Sequence, residues 1–184
     1  MHKLHLILIA AVCAPVVALR AQDTNALNTK IGIFEAQTGV VIIKGFERIG
    51  TVRTGAAEIS VRCKESTSAA SGYTDYGIAL AIDANQWRGF ALVDYDELAP
   101  LLNGMDSIGK MNYNVTALPA FEATFTTRSS LRLMAHGDRL EGGIRMYLQY
   151  NDGPRIQLTS DQWAQLARLI QQAKARLDSL KSGG

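Results

Sequence analysis

Apolar residues recur at every second position through most of this chain, and switch to intervals of three and four in only two places. Alternation sends successive side chains to opposite faces of a strand, the habit of antiparallel sheets with one apolar and one wet face. Runs of this kind cover residues 31–36, 40–52, 57–65, 76–82 and 89–93, and then 121–126, 131–135, 144–150 and 155–159. Turn residues punctuate them, among them Thr38-Gly39, Arg53-Thr54-Gly55, Asp83-Ala84-Asn85-Gln86 and Asn151-Asp152-Gly153-Pro154. Gly45 and Gly50 mark a bulge or sharp bend inside the second run, and the small, polar stretch 66–75 reads as a loop.

The first departure from alternation lies near 95–111, where Leu98, Leu101, Leu102, Met105 and Ile108 form one helical stripe. Asp94 with Glu97 three residues later has the form of a capping box, and Asp96 is the rival cap. Gly104 and Gly109 weaken this helix, so packing must supply its stability. The second departure, near 160–180, is stronger: Trp163, Leu166, Ala167, Leu169, Ile170, Ala173, Leu177 and Leu180 share a face. Thr159 or Ser160 caps it, and Lys174, Arg176 and Lys181 suit its negative end. These periods predict an α+β fold, an antiparallel sheet of eight or nine strands with two helices over its apolar faces. A closed, barrel-like sheet with the helices outside is the alternative.

The two strand-to-helix junctions overlay at a spacing of 65 positions: Asp94 and Glu97 fall on Thr159 and Gln162, Leu98 on Trp163, and Met105 on Ile170. That is the pattern of a duplicated unit of several strands and a helix, although any capped amphipathic helix after a strand shows part of it. The segment 155–170, with Ile-Gln-Leu-Thr-Ser-Asp-Gln-Trp-Ala-Gln-Leu at its centre, resembles the strand-to-helix segment of the transcriptional coactivator p15/PC4 family. The repeated layout is similar to that of the related Whirly proteins, which implies a fold and no activity. Asp94-Tyr95-Asp96-Glu97-Leu98, the stretch 105–110 and Phe121-Glu122-Ala123 resemble a family of exported bacterial proteins of unknown function.

The first residues are basic at Lys3, residues 6–19 are uncharged and apolar, and small residues follow at Ala18 and Ala21. Fourteen residues are too few for a membrane-spanning helix, which needs about 20. The stretch 1–21 therefore reads as a secretory signal, cleaved after Ala21 or Ala18, that leaves a single domain over 22–184 in the periplasm or outside the cell. The whole chain carries 19 basic and 17 acidic residues; without Lys3 and Arg20 the balance is 17 to 17. A neutral domain draws little long-range attraction to polyanions, so nucleic acid is not an expected partner. Once Cys13 is removed, Cys63 is the only cysteine, so no internal disulfide forms and core packing must hold the fold. Alternation puts Cys63 with Ile59 and Val61, a buried thiol rather than a nucleophile or a bridge to another chain.

Sites of chemistry are sparse. His136, the one histidine beyond the signal, falls with Arg132 on a wet face, without the partners that a metal site or a catalytic triad requires. Asp94, Asp96, Glu97 and Asp106 form the densest acidic group, suited to acid–base work or calcium but also to capping a helix N-terminus. Arg128, Arg132 and Arg145, with Thr124, Thr126, Thr127 and Tyr147, are expected to line one polar sheet face that takes an anion or a sugar. No P-loop, Gly-x-Gly-x-x-G, Gly-x-Ser-x-Gly or His-Glu-x-x-His pattern occurs, and no cofactor is implied. The sequence thus predicts an exported, non-catalytic binding or structural module whose partner is a small ligand, a glycan or an envelope protein. The alternatives are a hydrolase or lyase using Asp96 or His136, and single-stranded nucleic-acid binding by fold resemblance.

Overall fold

The computed structural model describes residues 27–183, so the expected signal over 1–21 lies outside the described residues. Two antiparallel four-stranded sheets follow one another along the chain, each ending in a helix. The first sheet contains β1 (Ile42–Arg53), β2 (Ala57–Ser68), β3 (Thr74–Ala84) and β4 (Trp87–Asp94), paired in chain order. A 3₁₀ turn at Tyr95–Glu97 leads into the helix Leu98–Gly109. The second sheet repeats the meander with β5 (Ala120–Thr126), β6 (Leu131–Asp138), β7 (Ile144–Tyr150) and β8 (Ile156–Leu158), and the long helix Ser160–Ser182 closes the chain. A short helix, Lys30–Glu35, precedes the first sheet. We number the three helices α1 (Lys30–Glu35), α2 (Leu98–Gly109) and α3 (Ser160–Ser182).

The α+β class, the eight strands and the repeated unit agree with the sequence; three details differ. The strands divide into two sheets because α2 interrupts the pairing after β4, and residue 94 is the last to pair with β3. Residues 31–35 belong to helix α1, with Ala36 as its C-cap, rather than to a strand. Their first-turn N–H groups are capped by Thr29, which accepts from Gly32 at 3.0 Å, and by distant Asp94, which accepts from Lys30 and Ile31 at 2.9 and 3.1 Å. The loop at 66–75 is shorter than expected, because β2 runs on to Ser68 and β3 starts at Thr74.

Helices α2 and α3 each pack on the sheet of the other unit, while α1 packs on its own, against β2, β3 and β4. Helix α2 lies against β5 and β6, α3 lies across β1, β2 and β3, and the two helices touch. One continuous core results: Ile59, Val61, Ile78, Leu80 and Ile82 from the first sheet, Leu131, Leu133 and Leu148 from the second, and the stripes Leu98-Leu101-Met105 and Leu166-Ile170-Leu177. The Trp163 indole donates to the Met105 carbonyl at 3.0 Å, so the largest side chain of α3 carries its one polar atom to a partner on α2. Two glycines permit close approach. A Cβ at Gly50 would meet Leu169 of α3 at 2.5 Å, and one at Gly104 would meet the Phe125 ring of β5 at 2.6 Å. Gly50 adjoins a register shift between Arg48 and Gly50, the anticipated bulge.

Candidate functional site

The acidic group at the first strand-to-helix junction is a closed electrostatic clasp. Asp94, whose side chain is 3% exposed, accepts from Arg128 Nη1 at 2.9 Å in addition to the two α1 N–H groups. Asp96 takes the Arg128 guanidinium through both oxygens, at 2.9 and 3.0 Å, and Lys30 Nζ at 2.9 Å. Glu97 accepts the backbone N–H of Asp94 at 3.3 Å and that of Arg128 at 2.8 Å. Arg128, followed by Lys30, holds the Asp96 carboxyl far below the ordinary carboxylate range. The Arg128 guanidinium and the Lys30 ammonium thus favour the ionised form of Asp96. Asp96 is thus the point where α1 and the β5–β6 turn are ion-paired to the start of α2. Asp106 lies apart from the clasp, exposed and paired with Lys110 one turn along α2.

Arg128 belongs to this clasp. It occupies the turn between β5 and β6, where it joins the two units, and does not extend across the sheet face with Arg132 and Arg145. Thr127 is buried and closes the same turn, its hydroxyl accepting the Leu131 N–H at 3.2 Å.

Thr124, Thr126, Arg132, Arg145 and Tyr147 lie on one side of the second sheet, in separate rows. On the outer side of the second sheet, register sets Glu122, His136 and Arg145 in one row, Thr124, Met134, Tyr147 and Gln157 in the next, and Thr126, Arg132 and Gln149 in a third. Arg132 donates to the Asn151 carbonyl at 2.8 Å. Among the described residues Arg145 pairs with Glu141 alone, at 3.5 Å on the exposed rim. The Gln149 amide donates to the Gly153 carbonyl at 2.8 Å, while its Oε1 is buried and accepts no hydrogen bond among the described residues. From β5 and from just ahead of β8, Glu122 and Arg155 approach to 3.8 Å over this face. The row carries an imidazole between a carboxylate and a guanidinium, an arrangement suited to holding an anionic or hydrogen-bonding ligand. Sequence alone could not set Glu122 beside His136, because strand register depends on turn geometry as well as alternation.

Cys63 sits in the core at 3% exposure, its Sγ donating to the Ala173 carbonyl at 3.5 Å. Burial, with the Glu47 charge adding to it, pushes the thiol up to about 11. A cavity of about 520 Å³ opens between α1, the clasp and the end of α3; in its lining Lys30 pairs with Asp96, and Lys181 lies over the Tyr95 ring at 4.2 Å. Among the described residues no group of three His, Cys, Asp or Glu side chains is placed to hold a metal ion, and no helix is long and apolar enough to cross a membrane. Comparison with protein-family models, curated proteins and solved structures finds no match.

Proposed function

We propose that this protein is an exported, non-catalytic binding module that takes an anionic group of a small ligand, glycan or envelope protein on the outer face of its second sheet. One observation carries the reading: the acids best placed for chemistry, Asp94, Asp96 and Glu97, are engaged by Arg128, Lys30 and backbone N–H groups, whereas Arg145, His136 and Tyr147 share the outer face of the second sheet, Arg145 exposed and the other two half-buried. Export is supported by the basic, apolar and small-residue order of 1–21. The two strand-meander-plus-helix units support a shared layout with the Whirly proteins. The near-neutral charge weighs against carrying that likeness over to nucleic-acid binding, where phosphate neutralisation dominates affinity.

Amide chemical-shift titration with small carboxylate, phosphate and sulfate probes tests the reading. Shifts should cluster on β5, β6 and β7 and should weaken in Arg145→Gln. Turnover of a hydrolase or lyase substrate that is lost in His136→Ala would replace binding with acid–base chemistry at the Glu122–His136 row.

A further inference from the structure

The cavity of about 520 Å³ beside α1 carries one charge of each sign that no ion pair of the fold uses. Two of its acids, Asp94 and Asp96, are answered by Arg128, by Lys30 and by the first N–H groups of α1. Asp75, at the start of β3, is not. Its carboxylate accepts the N–H of the next residue, Tyr76, at 2.9 Å and meets no cation among the described residues. Lys181, exposed in the last turn of α3, lies over the rings of Tyr95 and Tyr76 at 4.2 and 5.5 Å. It pairs with no carboxylate among the described residues, and Asp178, one turn earlier, is taken by Lys174 at 2.9 Å.

The wall between these charges is apolar and open. Ile33 is 57% exposed and Tyr73 is 59% exposed, and neither belongs to an apolar core of the protein. The Tyr73 ring stands edge-on to the buried Phe34 ring, with 5.3 Å between centroids, so its place is fixed from within the fold. Apolar side chains left in water favour any ligand that covers them, in proportion to the area covered. An apolar wall with a few separate polar groups is the usual make-up of a small-ligand site.

We propose that this cavity binds a short apolar peptide by its free ends, with the terminal ammonium on Asp75, the terminal carboxylate on Lys181, and an aliphatic side chain against Ile33 and Tyr73. A simple anion would use Lys181 and be repelled by Asp75, and a simple cation would meet the reverse. A zwitterion satisfies both through charge-assisted hydrogen bonds. The volume lies in the range that takes a drug-sized molecule, which is the size of two or three residues. The cavity shares no residue with the outer face of the second sheet, and its test is independent of the role proposed for that face.

Amide chemical-shift titration of the purified protein with trileucine is the experiment, run beside N-acetyl-trileucine, trileucine amide and triglycine. Saturable shifts are expected on α1, at residues 73–75 and at the end of α3; any shifts on β5–β7 belong to the second sheet and are read separately. Blocking either end should weaken binding about threefold to fivefold, the scale of an exposed ion pair. Asp75→Asn should remove the penalty of acetylation alone, and Lys181→Gln that of amidation alone. Triglycine, with no side chain to cover Ile33 and Tyr73, should bind more weakly than trileucine, and Tyr73→Ala should narrow that difference. The free spectrum of each variant should match the parent away from the substituted residue. No saturable shift, shifts confined to β5–β7, equal affinity for free and blocked peptides, or penalties that persist in Asp75→Asn and Lys181→Gln would each overturn the proposal.

Discussion

Glu97 and Gln162 hold the same position in their respective units, three residues past the cap, and each reaches into the first hairpin turn of the other unit. Glu97 accepts the Arg128 N–H at 2.8 Å, and the Gln162 amide donates to the Arg53 carbonyl at 3.0 Å. Both also complete their own capping boxes, by accepting from Asp94 and Thr159. The units are thereby joined at two pseudo-equivalent points, with α2 and α3 each seated on the neighbour's sheet.

This exchange of helices predicts that neither unit is stable alone. A fragment of residues 27–110 would leave Ile59, Val61 and Ile78 without α3 above them. It is expected to lack a dispersed amide spectrum and to aggregate, since a sheet with an uncovered apolar face has no core. A monomeric fragment with native-like dispersion would contradict the exchanged packing.

Cys63 should be inert in the native protein. With its thiol pushed up to about 11 and its sulfur buried, almost no thiolate exists at pH 8. Labelling by iodoacetamide at that pH should be undetectable until denaturant is added, then rapid. Labelling at the rate of a free thiol would show that α3 opens readily over β2.

Much of this was readable in advance, and the reasons are local. The capping-box spacings at Asp94/Glu97 and Thr159/Gln162, the alternation through β6 and β7, and the face of Cys63 depend on neighbours a few residues away. Helix α1 was not readable: two of its first-turn N–H groups are capped by Asp94, more than 60 residues on. Nor was the role of Arg128, because a turn residue and a face residue look alike until the strand ends are fixed.

Gly104 offers a test in which two effects oppose each other. Replacing a helical glycine by alanine gains roughly 1 kcal/mol of helix propensity. Here the added methyl would come within 2.6 Å of the Phe125 ring, and overpacking of that kind costs about 1–3 kcal/mol. Gly104→Ala should lower the thermal midpoint in the parent and raise it in a Phe125→Ala background. A rise in both would mean that β5 does not press against α2.

Acid should destabilise the protein through identifiable carboxylates. Burial pushes Glu35 up, but donation from Lys64, Ser66 and Lys44 outweighs it and holds the group below its ordinary value; Asp96 is held lower still, chiefly by Arg128. A carboxyl depressed on folding contributes stability above its unfolded value, near 4, and loses it as pH falls through the folded one. Unfolding free energy should therefore be flat from about pH 7 to 5 and fall below about pH 4. The fall should be shallower in Glu35→Gln and Asp96→Asn; an unchanged slope in both would remove these pairs as its source.

The claim that the acids of residues 94–97 hold the units together, while the anionic ligand is met on the second sheet, is tested most directly by a double-mutant cycle on Asp96→Asn and Arg128→Gln. Urea unfolding and the amide titration of the second sheet are followed in the same samples. Each variant should lower the urea midpoint, with a coupling of about 1 kcal/mol for a half-exposed bidentate pair, and the response of β5–β7 to the anionic probes should not change. Variants that keep the parent midpoint but lose ligand binding or turnover would contradict the account and return Asp96 to the functional site.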